Sequence, residues 1–439
     1  MAWQRWLGEQ ILRTGTLPTH LGTETFTAAG SPWLPQEWLF ATLAAAAQRV
    51  ALAPAFDLAV ASCAVLALAL LVRRAAAAGA SALGTALCVL FAGVAMLQSF
   101  GVRAQVVGWP LLVLFGSLLE RDASWLVCGA VVVVWANVHA GAVLAPVLAA
   151  AWAAGVAVRD RVLSRPVVRA SVAAAATLVA VAVNPFGFGL IAYAVALMRS
   201  PVKGFIREWQ PASVADVSFA WGALPLLAGV AVWAVSDGRR APQRLCAAAV
   251  GLALLLAAAR NIPLFALIVA PYAALGYTRV LRRLGAADAA PRPQLAVAAA
   301  LCMVMLAAVV SVRMWCAPVR PVASTALIAR LAALPASHRL LCQDYAWCGA
   351  AVGEARIRVF LDGRADPYPL PVWDAAFRIA HRNAGWQQAL RSYRVDAIIA
   401  DDDTKLGAAL RRSDRWRTAG RSGAYELFVR HPASTPVKH

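Results

Sequence analysis

A succession of apolar runs, broken by short connections of uneven charge, governs what this chain can become. The runs fall near residues 56–72, 79–99, 105–119, 124–140, 141–158, 169–184, 217–236, 243–259, 263–278 and 294–312. Each is read as a membrane-spanning helix. Several are shorter than the ~20 residues needed to cross the hydrocarbon, so their order is better defined than their ends. With 61% hydrophobic residues and only 14% charged, against ~25% charged in soluble globular proteins, the fold class expected is an α-helical polytopic membrane protein of about ten helices.

The formal charge of +19 raises the question of a polyanionic partner. The placement of the charges answers it. Residues 320–439 are mixed in sign, whereas the first 319 hold 23 bases and only 11 acids, most of the bases lying between apolar runs. Alternate connections separate by charge. Those at 73–74, 121, 159–169, 239–244 and 279–292 carry nearly all the arginine, and by the rule that Lys and Arg stay on the cytoplasmic side they face the cytoplasm. The opposite connections carry Arg103, Arg199, Lys203, Arg207 and Arg260 together with the longest loop, near 185–216. These are assigned to the outer face. Topogenic charge needs no nucleic acid, and none is expected as a partner.

Residues 1–55 read as a partial outer loop. The opening MAWQRWLGEQ reads as neither a signal peptide nor a first span, so a segment upstream is expected. Residues 36–53 are read as a helix lying in the outer interface; an eleventh span there would invert the charge assignment. Residues 56–313 form the transmembrane domain. From 314 to 439 the composition changes to short apolar runs at 340–343, 358–362, 397–401 and 425–430, interleaved with helical patterns at 323–334, 371–382 and 386–393. That alternation predicts a small α/β domain on the outer face.

Five cysteines, Cys63, Cys88, Cys128, Cys246 and Cys302, lie in or beside spans and read as small apolar residues. Cys316, Cys342 and Cys348 lie on the expected outer face, where disulfides persist. Cys342 and Cys348 are spaced to close a short loop, and the sequence leaves open whether they are bridged. The six histidines are scattered, HExxH is absent, and no CxxC zinc spacing occurs. No cofactor and no metal are expected, with a divalent cation left open at Asp401, Asp402 and Asp403, a run that equally fits a solvated loop or helix cap.

Polar groups at the outer ends of the spans carry the functional reading. Arg103 and Gln105 lie in SFGVRAQVVGWP, Asn137 and His139 in WANVHAG, Asn184 in NPFGFG, Glu208 and Trp209 in FIREWQP, and Arg260 and Asn261 in RNIPLF. Each alone is explained by anchoring a helix end at the interface. Five groups on one face describe an outward polar cavity: arginine forks for a phosphate, His139, and Glu208 as a carboxylate for proton transfer or as the partner of a neighbouring arginine. In the last domain Asp362, Arg364 and Asp366 fall in FLDGRADPY, either as a ligand site at a strand end or as a turn held by an Asp–Arg pair.

Those stretches, with GTLPTHLGTETFTAAGSPWLPQEWLF at 15–40 and QDYAWCGAAV further on, resemble the GT-C superfamily of polytopic glycosyltransferases. The likeness is to the bacterial branch related to aminoarabinose transferase and the protein O-mannosyltransferases, over nearly the whole chain. The resemblance implies that a polyprenyl-phosphate-linked sugar enters from the bilayer and that a glycan, lipid or protein acceptor attacks its anomeric carbon with inversion on the outer face. It implies a bacterial inner (plasma) membrane location with the C-terminus extracytoplasmic. It also implies that Arg103, Gln105, His139, Glu208 and Arg260 line the cavity. The family's carboxylate lies in the first outer loop, soon after the first transmembrane helix. Here the chain begins inside that loop, so the family's Asp falls at or before Met1, the first helix is lacking, and Glu24, with Glu9, is the nearest acid. Glu24 and Glu208 are therefore the catalytic candidates. The competing expectations are a non-catalytic lipid- or glycan-binding subunit and, less well supported for want of inverted repeats, a transporter.

Overall fold

A computed structural model describes residues 2–160, 164–286 and 325–431, apart from the side chains of Thr325, Ala346 and Glu354. The expected span at 294–312 and Cys302 and Cys316 lie outside these. The chain divides into two units, residues 51–313 and a composite of residues 1–50 with 314–439.

The first unit is helical: α3 (Ala53–Ala77), α4 (Ala82–Met96), α5 (Ala104–Glu120), α6 (Trp125–Val138), α7 (Leu144–Asp160), α8 (Arg165–Val181), α9 (Gly189–Arg199), α10 (Leu224–Ser236), α11 (Pro242–Ala257) and α12 (Ile262–Arg283). Nine of these coincide with expected spans. Five helical stretches, Ala53–Ala77, Ala82–Ser99, Ala140–Asp160, Ser218–Ser236 and Ala259–Arg283, are long and apolar enough to cross a membrane. The chain is a multi-pass membrane protein. Helix α9 falls inside the region read as a loop; its 11 residues span only about 16 Å at a rise of ~1.5 Å per residue, well short of the hydrocarbon thickness.

Serine sets the starts of three helices. Ser81, Ser124 and Ser164 accept from the backbone N–H groups of Gly84, Val127 and Val167, each cap being worth ~1 kcal/mol. Helix α12 is the axis of the unit, and most of its residues from Ile262 to Thr278 are buried. It meets α10 at the backbone. A Cβ on Gly276 would stand 1.9 Å from the Gly229 carbonyl oxygen, so only glycine admits this approach, the small-residue packing common between membrane helices.

The composite unit contains α1 (Ala2–Thr14) and α2 (Trp38–Arg49), then α13 (Thr325–Ala332), β1 (Arg339–Cys342), α14 (Tyr345–Ala350), β2 (Arg358–Val359), α15 (Leu370–His381), α16 (Trp386–Ser392), β3 (Ala397–Asp401), α17 (Lys405–Arg411), β4 (Trp416–Ser422) and β5 (Tyr425–Arg430). The sheet order is β2-β1-β3-β5-β4. Strands β1, β2 and β3 are parallel, whereas β5 runs antiparallel to both β3 and β4. Parallel strands need helical crossovers, and α14, then α15 and α16, supply them. The core joins Leu340, Val359, Ile399 and Leu427 of the sheet to Leu327, Leu331 and Trp347.

Residues 1–50 are not a separate loop. Thr25 pairs with Val359 in a parallel bridge; the Val359 N–H donates to the Glu24 carbonyl at 2.8 Å, and the Phe26 N–H to the Val359 carbonyl at 3.2 Å. The Thr27 hydroxyl donates to the Phe360 carbonyl. The N-terminal segment thus extends the sheet at its β2 edge, a long-range pairing that local sequence pattern does not encode. Cys342 and Cys348 form a disulfide with a Cα–Cα distance of 5.7 Å, resolving the question left by their spacing.

Candidate functional site

The outer-loop residues divide into those that hold the loops and those left to act on something else. The Asn137 amide donates to the Val133 and Val183 carbonyls, both at 2.8 Å, tying the end of α6 to the end of α8. Asn184 folds the NPFGFG turn, accepting from the Phe186 N–H at 2.7 Å and donating to Val181 and Gly187. Gln105 donates to the Ser99 carbonyl at 3.3 Å, and Asn261 to that of Leu254 at 3.1 Å. Side-chain bonds of this kind replace backbone partners lost where a helix ends.

A second group converges beside them. Glu208 lies in the 3₁₀ turn Arg207–Trp209, and the Ala259 N–H donates to the Gln210 carbonyl at 2.8 Å, joining this turn to the one before α12. Trp209 is buried, and the guanidinium of Arg260 stands 5.2 Å from its ring centroid. Arg103, extended in backbone at the start of α5, reaches Glu208 with Nη1 at 3.4 Å from Oε2. Arg260 carries its charge to His139 as well, and His139 Nδ1 accepts from the Gly141 N–H at 2.9 Å; an uncharged ring then holds its proton on Nε2. Gly141 permits this convergence: a Cβ there would lie 2.8 Å from His139 Nδ1 and 3.7 Å from Trp135 Nε1.

The indole N–H groups of Trp135 and Trp209 are buried and have no acceptor among the described residues. A buried donor left unmade costs ~1–3 kcal/mol, so a polar ligand taking these protons regains that energy. Trp135 lies within the WANVHAG stretch but reads from sequence as one more apolar residue in a span. The cluster combines two arginines, two indole donors, an imidazole and one carboxylate, which suits an anionic phosphate beside a hydroxyl that must lose its proton.

The remaining candidates lie in the composite unit. Arg364 is fully buried. Its Nη1 donates to Glu24 Oε1 at 2.8 Å, and its Nη2 and Nε to Asp362 at 2.6 and 2.9 Å. The rings of Trp33 and Trp6 lie 4.9 and 5.2 Å away. Burial pushes the guanidinium down, but Asp362, Tyr368 and Glu24 outweigh it and hold Arg364 above its ordinary value. Burial, reinforced by Asp362, pushes the Tyr368 phenol well up. The following Ala365 is left-handed, with φ 61°, a conformation L residues adopt at a cost. Asp366 flanks this turn, its N–H donating to the Arg364 carbonyl at 2.7 Å. These contacts hold FLDGRADPY in a turn with an Asp–Arg pair, Glu24 being a third member.

The carboxylate oxygens of Asp401, Asp402 and Asp403 lie within 4.8 Å of one another. The Asp403 N–H donates to Asp401 Oδ1 at 3.2 Å, and Thr404 caps α17, bonds that belong to a loop entering a helix.

No protein-family model matches the sequence, and no curated relative is found. Among solved structures the chain is similar to the archaeal oligosaccharyltransferase AglB from Archaeoglobus fulgidus in complex with an inhibitory peptide and a dolichol-phosphate, with TM-score 0.58 and 13% identity over 99% of this chain and 70% of that one. It is also similar to the Archaeoglobus fulgidus oligosaccharyltransferase tethered with an acceptor peptide, with TM-score 0.55 and 13% identity over 91% of this chain and 64% of that one. The apo form of that enzyme gives TM-score 0.52 and 12% identity, over 93% and 66%. The likeness is one of fold. The chain spans about two thirds of the length of those structures.

Proposed function

We propose that this protein is a membrane glycosyltransferase that moves a sugar from a polyprenyl-phosphate donor to an acceptor hydroxyl or amide on the outer face of a bacterial inner membrane, in the manner of the branch related to aminoarabinose transferase. The observation that supports it is fold likeness along 99% of the chain to a protein bound to a dolichol-phosphate and a peptide. In this reading the donor phosphate sits against Arg103 and Arg260, and Trp135 and Trp209 donate to donor or acceptor oxygens. The acceptor attacks the anomeric carbon from the face opposite the phosphate, the bond from that carbon to the phosphate oxygen breaks with its electron pair going to the phosphate, and Glu208 takes the acceptor proton. The configuration inverts.

The test is transfer of labelled hexose or pentose from a polyprenyl phosphate by the full-length protein in nanodiscs. Glu208→Gln is expected to lower transfer by ~10²–10⁴-fold, as loss of a general base does, and Arg260→Ala by ~10²–10³-fold, with thermal unfolding unchanged. Full activity in both variants overturns the site. A second reading, a lipid- or glycan-binding subunit without transfer, draws on both nominated carboxylates, Glu24 and Glu208, being paired to arginine. Donor lipid bound with wild-type affinity and no turnover under any acceptor selects that reading.

A further inference from the structure

The composite unit contains a cavity of about 370 Å³ outside both clusters described above, within the range of roughly 300–1,000 Å³ of small-molecule sites. Its walls come from α16, the end of α17, the start of β4 and the end of β5. Five arginines line it, Arg382, Arg391, Arg412, Arg415 and Arg430, together with Trp386 and Trp416, and no lining residue is acidic. The register of the sheet explains part of this gathering: Trp416 lies opposite Arg430 across the β4–β5 ladder. The His431 N–H donates to the Arg415 carbonyl at 2.9 Å, which fixes the two basic strand ends side by side. The Arg382 guanidinium lies 5.5 Å from the Trp386 ring centroid.

Several arginines elsewhere among the described residues are met by carboxylates. Arg74 has Glu120, Arg169 has Asp122, Arg279 has Asp237, and Arg364 has Asp362 and Glu24. Among the described residues none of the five cavity arginines is in an ion pair. Asp414 and Asp396 are the acids adjacent in sequence, and neither lines the cavity; Asp396 accepts from the Arg339 N–H at 2.7 Å. Like charges converging on a concave surface repel one another and raise the positive potential in the space between them. An anion bound there relieves that repulsion, and guanidinium forks match the oxygens of a phosphate. The indole faces offer an apolar surface to a sugar ring or glycerol backbone carried by it.

We propose that this cavity binds a phosphate ester, the phosphate on the arginine forks and its polyol against Trp386 and Trp416. A soluble sugar phosphate and the headgroup of an anionic phospholipid share this chemistry. The full-length protein in phosphatidylcholine nanodiscs is titrated with inorganic phosphate and with glucose 1-phosphate at fixed ionic strength, chloride serving as the control anion. Saturable binding of either phosphate probe, with no equivalent for chloride, is expected. The double variant Arg391→Gln/Arg415→Gln is expected to raise the Kd at least tenfold. Gln387→Glu, at an exposed helical position on the cavity wall, is expected to weaken binding similarly and covers the case in which the double variant fails to fold. The source follows from a second set of discs containing phosphatidylglycerol: a Kd for glucose 1-phosphate raised there in the wild type, but not in the variants, identifies the lipid headgroup, and an unchanged Kd identifies the soluble ester. Binding no tighter than chloride, or equal in wild type and both variants, overturns the proposal.

Discussion

The two ends of the helical unit each hold an Arg–Glu pair, and they are built in opposite ways. Where the arginine-rich connections meet, Arg74 donates from Nε and Nη2 to Glu120 at 3.0 and 3.1 Å and also to the Tyr272 hydroxyl at 3.0 Å. The two side chains are 5% and 12% exposed, and Arg244 stands 3.9 Å from the same carboxylate. At the other end Arg103 meets Glu208 at one longer distance, 3.4 Å, with side chains 51% and 38% exposed. The first pair is buried, with Nε and Nη2 of Arg74 both engaged. The second holds its carboxylate loosely beside Arg260 and unpartnered indole donors. The same two residue types form a buried fastening at one end and, under the proposed function, a solvent-exposed reactive pair at the other.

The largest effect that tests this contrast is Glu120→Ala. It strands the buried Arg74 charge, and breaking a buried pair from one side costs ~3–5 kcal/mol. Thermal unfolding in detergent is expected to show a clear loss of stability or of folded yield. An unfolding midpoint equal to wild type would show that the pair is not the fastening described.

That distinction was only half legible in the sequence. The order of helices and the polar residues at their ends follow from hydropathy, because the bilayer imposes it on each segment locally. From sequence Arg74 is simply one of a set of basic connection residues; its carboxylate lies 46 residues away, and no local pattern marks the pairing. The same holds for Glu24, whose acidity and position nominated it for catalysis and whose partner Arg364 lies 340 residues on. Strand β4 escaped for a different reason. WRTAGRS carries arginines and no apolar alternation, as suits an edge strand whose charges guard against further pairing. The Trp135 N–H was invisible because hydropathy scores the ring and not its single donor.

An intermediate effect separates fastening from chemistry at the loose end. Exposed ion pairs contribute at most ~1 kcal/mol, so Arg103→Ala is expected to leave the unfolding midpoint near wild type while lowering sugar transfer by about tenfold or more, the scale of one lost charge contact of ~1.4 kcal/mol. If Arg103 and Glu208 act on one reacting centre, their effects are not additive. The double variant Arg103→Ala/Glu208→Gln is then no worse in transfer than Glu208→Gln alone. Strict multiplication of the two losses would place Arg103 outside the site.

The smallest effect is expected from a third Arg–Glu pair, the most exposed of the three. Arg49 donates to both oxygens of Glu9 at 2.9 and 2.7 Å, linking α1 and α2 within the composite unit, with side chains 44% and 52% exposed. The hydrogen bond from Arg49, with the charges of Arg49 and Arg13, outweighs burial and holds the Glu9 carboxyl below its ordinary 4.5. A folded-state pKa lowered in this way gives stability that is fully present above pH 4.5 and is lost as the pH falls through the folded value. Because solvent and salt screen the pair, the wild-type unfolding midpoint is expected to drop slightly more than that of Glu9→Gln on acidification below that pH, and the difference between the two to shrink in high salt. Identical acid profiles for wild type and Glu9→Gln would reduce the pair to a surface contact without energetic weight, and with it the claim that burial grades all three pairs on one scale.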